Sequence, residues 1–228
     1  MKVLKKNIRK HKSYVVPQGA CTDGKKIYCV YEKKHKYHII VVYDASGKQL
    51  RKSGKINIGH GNDMAYKSGR LYITHSKRKD EIHIVNAASL KGVLNISTPW
   101  NGKRGFNEIA AIPGGFALRT IKGNRLVITD DAFHRKAEYK FGKGFGTAQG
   151  MEYHSDRLYR GFSHLQTKGA NHIGVYDMQG RLVNHYKVDI RGELESLFWL
   201  AGHLVGLIFR KWKGKKGKKK YGTKMFRV

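Results

Sequence analysis

Gln18-Gly19-Ala20 is the first of five triplets in which a polar residue, a small or acidic residue and an apolar residue open a short apolar run. The other four triplets are Asn62-Asp63-Met64, Asn107-Glu108-Ile109, Gln149-Gly150-Met151 and Glu195-Ser196-Leu197. Their first residues are 44, 45, 42 and 46 positions apart. A period of this size indicates supersecondary units that repeat, either stacked or arranged in a ring.

Each unit continues with further short runs that are rich in β-branched and aromatic residues, such as residues 27–31 and 38–43 of the first unit. The runs are bounded by Gly, Asp, Asn and Ser, and the turn sequences at 44–47 and 177–180 are near copies. No helical period of 3.6 residues is sustained, so the runs are typical of strands joined by tight turns. Four strands in a unit of about 45 residues form the blade of a β-propeller.

The two chain ends supply a test of closure, because an unclosed propeller would leave two free sheet edges. The fifth unit has only three runs, the last over residues 223–228, and residues 2–8 can provide the missing strand. They precede the first unit by a linker that ends at Pro17. The sequence therefore predicts an all-β, five-bladed β-propeller closed by pairing of the N-terminal strand with the C-terminal blade. An open sandwich of similar strand count is the alternative, although it would not require so even a period.

We expect a single domain over residues 1–228. Its blades are predicted at about 18–59, 60–105, 106–148, 149–192, and 193–228 together with 1–17.

Cys21 and Cys29 lie on the first two predicted strands, on either side of the turn Asp23-Gly24. A three-residue loop would place them opposite each other, whereas a two-residue loop would leave them one place out of register on opposite faces. We expect two buried free thiols. No Cys-His cluster has the spacing of a zinc site, so we expect neither a metal nor another cofactor.

Charge is the second large feature: 46 Lys and Arg residues stand against 16 Asp and Glu, a formal net charge of +30. Self-repulsion of this size destabilises a compact state, which points to an anionic partner. Several basic runs fall between the second and third strands of a unit, on the rim where the first strand begins. The predicted polyanion-binding residues are Lys33, Lys34, Lys36, Lys77, Arg78, Lys79, Arg210, Lys211, Lys213, Lys215, Lys216 and Lys218. We expect residues 210–220 to form a flexible cationic arm suited to a polyanion.

The same rim should carry the polar first residues of the triplets, which would make a polar, partly acidic funnel around the central channel. The predicted ligand-binding residues are Gln18, His60, Asn62, Asn107, Gln149, Glu193, Glu195 and, from the basic arm, Trp212. The alternative is that the ring only satisfies backbone groups around a water-filled channel.

Acidic residues of the funnel also allow an enzymatic hypothesis, because two carboxyl groups across a cleft can act as general acid and base on a sugar. The candidate catalytic residues are Asp63, Glu108 and Glu195, with His60, and also His164, as a base. The glycine-rich stretch 142–150 lacks the spacing of the dinucleotide fingerprint, and we expect it to connect two blades.

The segments 18–24, 58–66, 149–151 and 193–197 resemble the blade-opening motifs of small propeller domains in surface-associated proteins of Firmicutes. More distantly, they are similar to the helveticin-type bacteriocin family of lactobacilli. The chain departs from both in its high lysine content. The resemblance implies a secreted or wall-associated protein, and it carries over no catalytic role. No apolar stretch has the length of a transmembrane helix, and the basic start is not followed by the apolar segment of a secretory signal.

Three function hypotheses follow. The first is a non-catalytic, monomeric propeller that binds an anionic surface polymer or glycan, such as teichoic acid, through its lysine-rich face. The second is a hydrolase or lyase that acts on a glycan at the channel mouth. The third is a nucleic-acid-binding protein of low specificity, for which aromatic residues near the basic runs are few.

Overall fold

In the computed structural model, the described residues are 2–8, 16–33, 37–58, 60–75, 81–164, 170–213 and 219–228. Over these ranges the chain forms five antiparallel sheets of four strands each, in the arrangement of a five-bladed β-propeller. The predicted fold class is confirmed. The strands of the first two sheets, which we call blades 1 and 2, are β2 (Val16–Thr22), β3 (Lys26–Lys33), β4 (Tyr37–Asp44), β5 (Gln49–Lys52), β6 (Gly61–Lys67), β7 (Arg70–His75), β8 (Glu81–Asn86) and β9 (Gly92–Ser97).

A short 3₁₀ helix (Pro99–Arg104) leads from blade 2 into blade 3. Blades 3 and 4 consist of β10 (Phe106–Ile112), β11 (Gly115–Thr120), β12 (Arg125–Asp130), β13 (Arg135–Lys140), β14 (Thr147–His154), β15 (Arg157–Ser163), β16 (Asn171–Tyr176) and β17 (Leu182–Val188). The glycine-rich stretch before β14 connects the two blades, as expected. In the described part of the chain, no helix has the length and hydropathy needed to cross a bilayer.

Blade 5 closes the ring with both chain ends. It consists of β18 (Glu193–Leu200), β19 (His203–Lys213), β20 (Lys219–Arg227) and, as its outermost strand, β1 (Lys2–Ile8). The β1–β20 ladder runs from the pair Lys2 and Arg227 to the pair Ile8 and Thr223. The predicted closure is therefore confirmed. The linker ends earlier than expected, because Val16 already begins β2 and Pro17 pairs with Tyr31 inside it.

The five triplets mark the same backbone irregularity in every innermost strand. The register of the first two strands of each blade shifts by one residue at the first position of the triplet, namely at Gln18, Asn62, Asn107, Gln149 and Glu195. Such a β-bulge adds one unpaired residue, bends the strand and increases its twist. The repeated sequence is thus a bulge motif at the point where each innermost strand enters the ring.

Turns between the third and fourth strands repeat as well. The side-chain oxygen of Asp44, Asn86, Asp130 or Asp177 accepts a hydrogen bond from a backbone N–H two to four residues ahead, at 2.8–3.0 Å. A short carboxylate or amide side chain stabilises a tight turn in this way. Asp44, Asn86 and Asp130 end the third strands of blades 1 to 3, and Asp177 directly follows that of blade 4, which explains why 44–47 and 177–180 are near copies.

The apolar core consists of five clusters, and each lies between two neighbouring blades. Tyr31 of blade 1 packs with Phe198 of blade 5, for example, and Tyr72 of blade 2 packs with Phe116 of blade 3. The core is therefore a ring of interfaces around a polar centre.

Cys21 and Cys29 are free and buried, as expected. The turn has the two-residue form: Cys21 pairs with Tyr28, and Cys29 pairs with Ala20. The thiols consequently lie on opposite faces of blade 1, where Cys29 contacts the cluster shared with blade 5 and Cys21 the cluster shared with blade 2. Burial raises the pKa of both thiols.

Close approach of the innermost strands explains the glycine in the first triplet and gives a stability test. A Cβ on Gly19 would lie 2.9 Å from the Cα of Asp63 and 3.0 Å from the nitrogen of Met64, both backbone atoms of blade 2. We expect Gly19→Ala to lower the free energy of unfolding by about 1–3 kcal/mol, because the two strands must separate. Gly54→Ala is the control, since nothing lies within 4 Å of that position. Urea unfolding followed by tryptophan fluorescence measures both variants, and equal stabilities would contradict the close approach.

Candidate functional site

The N-terminal ends of the innermost strands lie on one face of the ring, which we call the mouth face. Val16 pairs with Glu32, Gly61 with His75, and Glu193 with Phe209, so the first strand of a blade begins beside the end of the second. The connections from second to third strands consequently start on the mouth face as well. The opposite face carries the turns that hold Asp44, Asp130 and Asp177.

Most of the predicted polyanion-binding residues cannot be placed. Lys34, Lys36, Lys77, Arg78, Lys79, Lys215, Lys216 and Lys218 lie outside the described residues. Lys33 ends β3 on the mouth face, and Arg210, Lys211, Trp212 and Lys213 are the last residues of β19. Lys211 is exposed.

The prediction of a flexible arm over 210–220 is wrong at both of its ends. Arg210 pairs with Gly222, and the ladder continues to the pair Lys213 and Lys219. The last pair of β19 with the innermost strand is Glu193 and Phe209, so four residue pairs of this hairpin extend beyond the blade. The stacked rings of Phe209 and Tyr221, with centroids 6.1 Å apart, support the extension.

The side chain of Asp63 links its own blade to two others at the centre of the ring. Its Oδ2 accepts hydrogen bonds from the backbone N–H of Ile109 in blade 3 and of Met151 in blade 4, both at 3.0 Å. The side chain is fully buried. Burial raises the pKa of this carboxyl, and the backbone N–H groups oppose the rise. Asp63 therefore ties three blades together through Oδ2, whereas its Oδ1 is buried without a hydrogen-bond partner among the described residues.

Ser196 has the same role between blades 5 and 1. Its Oγ accepts a hydrogen bond from the N–H of Ala20 at 3.0 Å and donates one to the carbonyl of Ala20 at 3.1 Å. Ser196 and Asp63 are both second residues of their triplets, and the N–H groups that they bind belong to third residues. In these two blades, the second position thus supplies an acceptor to a bulge of another blade.

Glu108, the third polar residue at the second position, forms a buried ion pair. Its two oxygens accept hydrogen bonds from Nε and Nη2 of Arg160 at 3.2 and 2.7 Å, and both side chains are almost fully buried. The Nε of Arg119 lies 3.4 Å from Glu108 Oε2. The Arg160 guanidinium also stacks 3.9 Å from the ring centroid of Phe141. Glu108 therefore joins blades 3 and 4, and its bidentate pairing leaves no role as a general acid or base.

On the mouth face, the side chains of two first triplet residues form hydrogen bonds with other side chains. Gln149 donates to Oε1 of Glu193 at 3.0 Å, and Asn107 accepts from Nη1 of Arg119 at 2.8 Å. Gln18 and Asn62 are half-buried. The amide nitrogen of Asn62 is buried and has no hydrogen-bond partner among the described residues.

A cluster of carboxylates and histidines lies where blades 5 and 1 meet blade 2. Glu32, at the end of β3, is 3% exposed, and its Oε2 is 2.6 Å from Nδ1 of His60 and 3.9 Å from Nε2 of His38. Glu195 is also 3% exposed. Burial raises the pKa of Glu195, and the charges of Glu193 and Glu32 raise it further. We call Glu32, Glu193 and Glu195 the acidic mouth cluster.

The sequence analysis placed these residues in one funnel, but the structure gives them different roles. The mouth includes Glu193, Glu195 and His60 as expected, whereas Asp63 and Glu108 serve the joints between blades. His164 lies beside His172 of blade 4, with ring centroids 6.1 Å apart. Glu32, His38 and Arg160 were missed. Their signal was a charged or polar residue inside or directly after an apolar run, as in Leu158-Tyr159-Arg160.

The cluster does not have the form of a metal centre. Within the described ranges, no three or more His, Cys, Asp or Glu side chains are arranged to hold a metal ion.

Neither a protein-family model nor a curated protein sequence matches the chain. Solved structures do. The glutaminyl cyclase of Myxococcus xanthus aligns with a TM-score of 0.64 and 11% identity over 99% of this chain and 96% of its own. A tail fiber of Staphylococcus aureus phage P68 aligns with a TM-score of 0.67 and 16% identity over 99% of this chain and 52% of its own. A chain of the nidogen–laminin complex gives a TM-score of 0.55 and 13% identity over 85% and 72%.

At these identities the likeness concerns the fold alone. None of the three structures tests the resemblance to Firmicutes surface propellers, which stays a prediction.

Removing the Asp63 carboxylate tests its role at the centre. Asp63→Ala leaves the N–H groups of Ile109 and Met151 buried without an acceptor, at about 1–3 kcal/mol each. We expect a loss of several kcal/mol in the free energy of unfolding, and Asp63→Asn, which keeps one oxygen acceptor, should lose clearly less. Denaturant unfolding measures the difference, and NMR hydrogen exchange at the two amides localises it. Equal losses in both variants would show that the N–H bonds are not what matters.

Glu152 makes stability depend on pH. Burial raises its pKa from the reference value of 4.5 to about 8, although the backbone N–H of Trp199 opposes the rise. The folded protein therefore keeps a proton that the unfolded chain releases between about pH 4.5 and 8, so the free energy of unfolding falls as pH rises through this window.

We expect Glu152→Gln to make that fall shallower, by an amount on the order of a few kcal/mol over the window. Glu138→Gln is the control, because Glu138 lies on the outer strand of blade 3 and pairs with Arg125 and Arg135. Unfolding curves at several pH values measure both variants. Parallel pH profiles for wild type and Glu152→Gln would contradict the assignment.

Proposed function

We propose that this propeller is a non-catalytic binding module that attaches to an anionic surface polymer through the outer part of its mouth face. The observation that carries the proposal is the unequal distribution of charge between the two faces. Exposed cations on the mouth face occur at Lys55, Lys122, Lys140, Lys143, Arg191 and Lys211. The opposite face also has exposed cations, such as Lys25, Lys48, Lys91 and Arg181, but its turns offset them with six aspartates, Asp23, Asp44, Asp130, Asp131, Asp156 and Asp177. On the mouth face, Asp189 is the one exposed acidic residue in the described part of the chain.

The extended hairpin of β19 and β20 adds to the cationic side. Four residue pairs project beyond blade 5 on the mouth face, and Lys211 is exposed there. The chain between the two strands contributes Lys215, Lys216 and Lys218 by sequence. A projecting basic hairpin increases the number of phosphates that one polymer chain can contact at the same time.

Electrostatic attachment of this kind is independent of sequence and sensitive to salt. At physiological ionic strength, screening limits each exposed charge to about 8 Å, so affinity requires many close contacts along a polymer. The resemblance to surface-associated propellers of Firmicutes favours teichoic acid over nucleic acid as that polymer. The structural roles of Asp63 and Glu108 support a binding function over a hydrolase or lyase.

Charge reversal on the mouth face tests the proposal. We expect Lys122→Glu combined with Lys211→Glu to weaken binding to purified wall teichoic acid about tenfold at low salt, and to make the salt dependence shallower by one to two units of slope. Lys48→Glu combined with Lys91→Glu is the matched control, because it changes net charge equally on the opposite face. Fluorescence anisotropy over a salt series measures all three proteins.

Two results would overturn the proposal. The first is equal weakening by both pairs, which would mean that net charge alone acts. The second is an affinity that does not depend on salt. Heparin and duplex DNA are measured at matched ionic strength, and tighter binding of DNA than of teichoic acid would favour the nucleic-acid hypothesis.

A further inference from the structure

The glycine-rich stretch before β14 places an aromatic ring against the outer strands of blade 4. Its course is held by a hydrogen bond that the hydroxyl of Tyr176, on β16, donates to the carbonyl oxygen of Lys143. A Cβ on Gly144 would lie 3.1 Å from the ring of Phe162, on β15, so glycine allows the chain to pass close to the blade. Phe145, the next residue, therefore lies over the face of blade 4 that is turned toward blade 3.

Phe145 stacks on two histidines of this face. Its ring centroid is 5.3 Å from that of His172 and 4.7 Å from that of His185, with planes inclined by 19° and 12°. The centroids of His172 and His185 are 6.2 Å apart, and that of His164 is 6.1 Å from that of His172. His185 pairs with Gly174, two residues after His172 on β16, so both rings project from the same face of the blade. We call His164, His172 and His185 the blade 4 histidine cluster.

The cluster lies at the mouth-face end of blade 4, where β15 ends and β16 begins, and two lysines flank it. Lys187 pairs with His172 in the β16–β17 ladder, and Nζ of Lys143 is 5.7 Å from the ring centroid of Phe145. Both lysines are exposed. The Oδ1 atom of Asp189 is 3.9 Å from Nζ of Lys187, but both side chains are exposed, and such pairs contribute little. Protonation of the cluster therefore adds positive charge to a region that is already cationic.

A region of this kind favours an anion when its imidazoles are protonated. An imidazole has an unperturbed pKa of about 6.5, and it becomes a donor at both nitrogens when it takes up a proton. Burial lowers the pKa of His172, and the charges of the other two histidines and of Lys187 lower it further. A bound anion offsets that repulsion, so the anion and protons bind together. The face of Phe145 supports the same state, because a cation within about 6 Å of an aromatic ring is stabilised.

The donors suit a phosphate group better than a metal ion. Neutral imidazoles can bind metals. Among the residues that the structure describes, however, no three or more His, Cys, Asp or Glu side chains are arranged to hold a metal ion, and the two lysines repel cations. A phosphodiester offers oxygen acceptors instead, and hydrogen bonds from charged donors to phosphate are among the strong ones.

From this geometry we propose that the blade 4 histidine cluster, together with Lys143 and Lys187, binds a phosphate group of an anionic polymer and holds it more tightly when the histidines are protonated. The site belongs to the attachment proposed above, and it rests on that proposed function for the identity of the polymer. Lysines elsewhere on the mouth face contact the polymer at any pH, whereas this site adds a contact that depends on pH.

Dimethyl phosphate tests the site apart from polymer attachment, because this small diester keeps one negative charge across the titration range of histidine. The imidazole protons of the full chain are followed by NMR as pH changes, either with dimethyl phosphate or with NaCl at the same ionic strength. We expect the diester to raise the pKa of His172 by about 0.5 relative to NaCl, since anion and proton binding are linked. The same pKa in both salts would overturn the inference.

Binding of poly(glycerol phosphate), measured by fluorescence anisotropy at constant ionic strength, gives the second test. We expect its affinity to rise about tenfold from about pH 7.5 to 5.5, because the bound polymer favours the protonated histidines. His172→Gln combined with His185→Gln should reduce that rise to less than about threefold. His185→Gln alone, at an exposed position, should remove part of the rise without a loss of stability.

His134→Gln combined with His203→Gln is the matched control, because it removes two histidines from the opposite face and should leave the rise unchanged. An affinity that does not change with pH, or an equal reduction by both pairs of substitutions, would also overturn the inference. Failure of the polymer to bind at either pH would refute the proposed function, whereas the response of His172 to dimethyl phosphate decides the site independently.

Discussion

The carboxylate of Asp63 is the contact on which the ring depends. Every innermost strand bulges at its triplet, and a bulge takes backbone groups out of the ladder while they stay buried. Buried N–H groups must find an acceptor, and here they find it in another blade. Asp63 accepts from Ile109 and Met151, and Ser196 exchanges hydrogen bonds with Ala20. The glycines at positions 19 and 150 complete the arrangement, because a Cβ at either would meet atoms of the facing strand at about 3 Å.

This explains why the fold was predictable from a weak sequence signal. A bulge constrains three adjacent residues in the same way in each blade, so the triplet recurs although the strands around it differ. Closure was predictable for a related reason: an unpaired edge in blade 5 requires a strand, and residues 2–8 were the free candidate. The predicted ends of the strands were less accurate, at Pro17 and at Arg210. Lysine has a low strand propensity, but pairing with β20 and the Phe209–Tyr221 stack extend β19 through four residue pairs.

The roles of the polar residues were much harder to predict, because a hydrogen-bond partner is set by tertiary structure. Asp63 and Glu195 look alike in sequence, as acidic residues at adjacent triplet positions. One points across the axis to partners 46 and 88 residues away, and the other lies between two blades with carboxylates as neighbours. Arg160 shows the same limit, since it lies in a run of apolar residues and its charge is explained only by Glu108, 52 positions earlier. The local sequence pattern thus locates the mouth face, but it does not distinguish residues that join two blades from residues that could bind a ligand.

Charges of opposite sign differ in exposure on the mouth face. Cations such as Lys122 and Lys211 are exposed, whereas Glu32 and Glu195 are each 3% exposed. Burial raises the pKa of Glu195, and the neighbouring acids Glu193 and Glu32 raise it further, so this carboxyl group favours its neutral form. The proposed attachment of an anionic polymer therefore depends on the exposed lysines, because the acids beside them are mostly withdrawn from solvent.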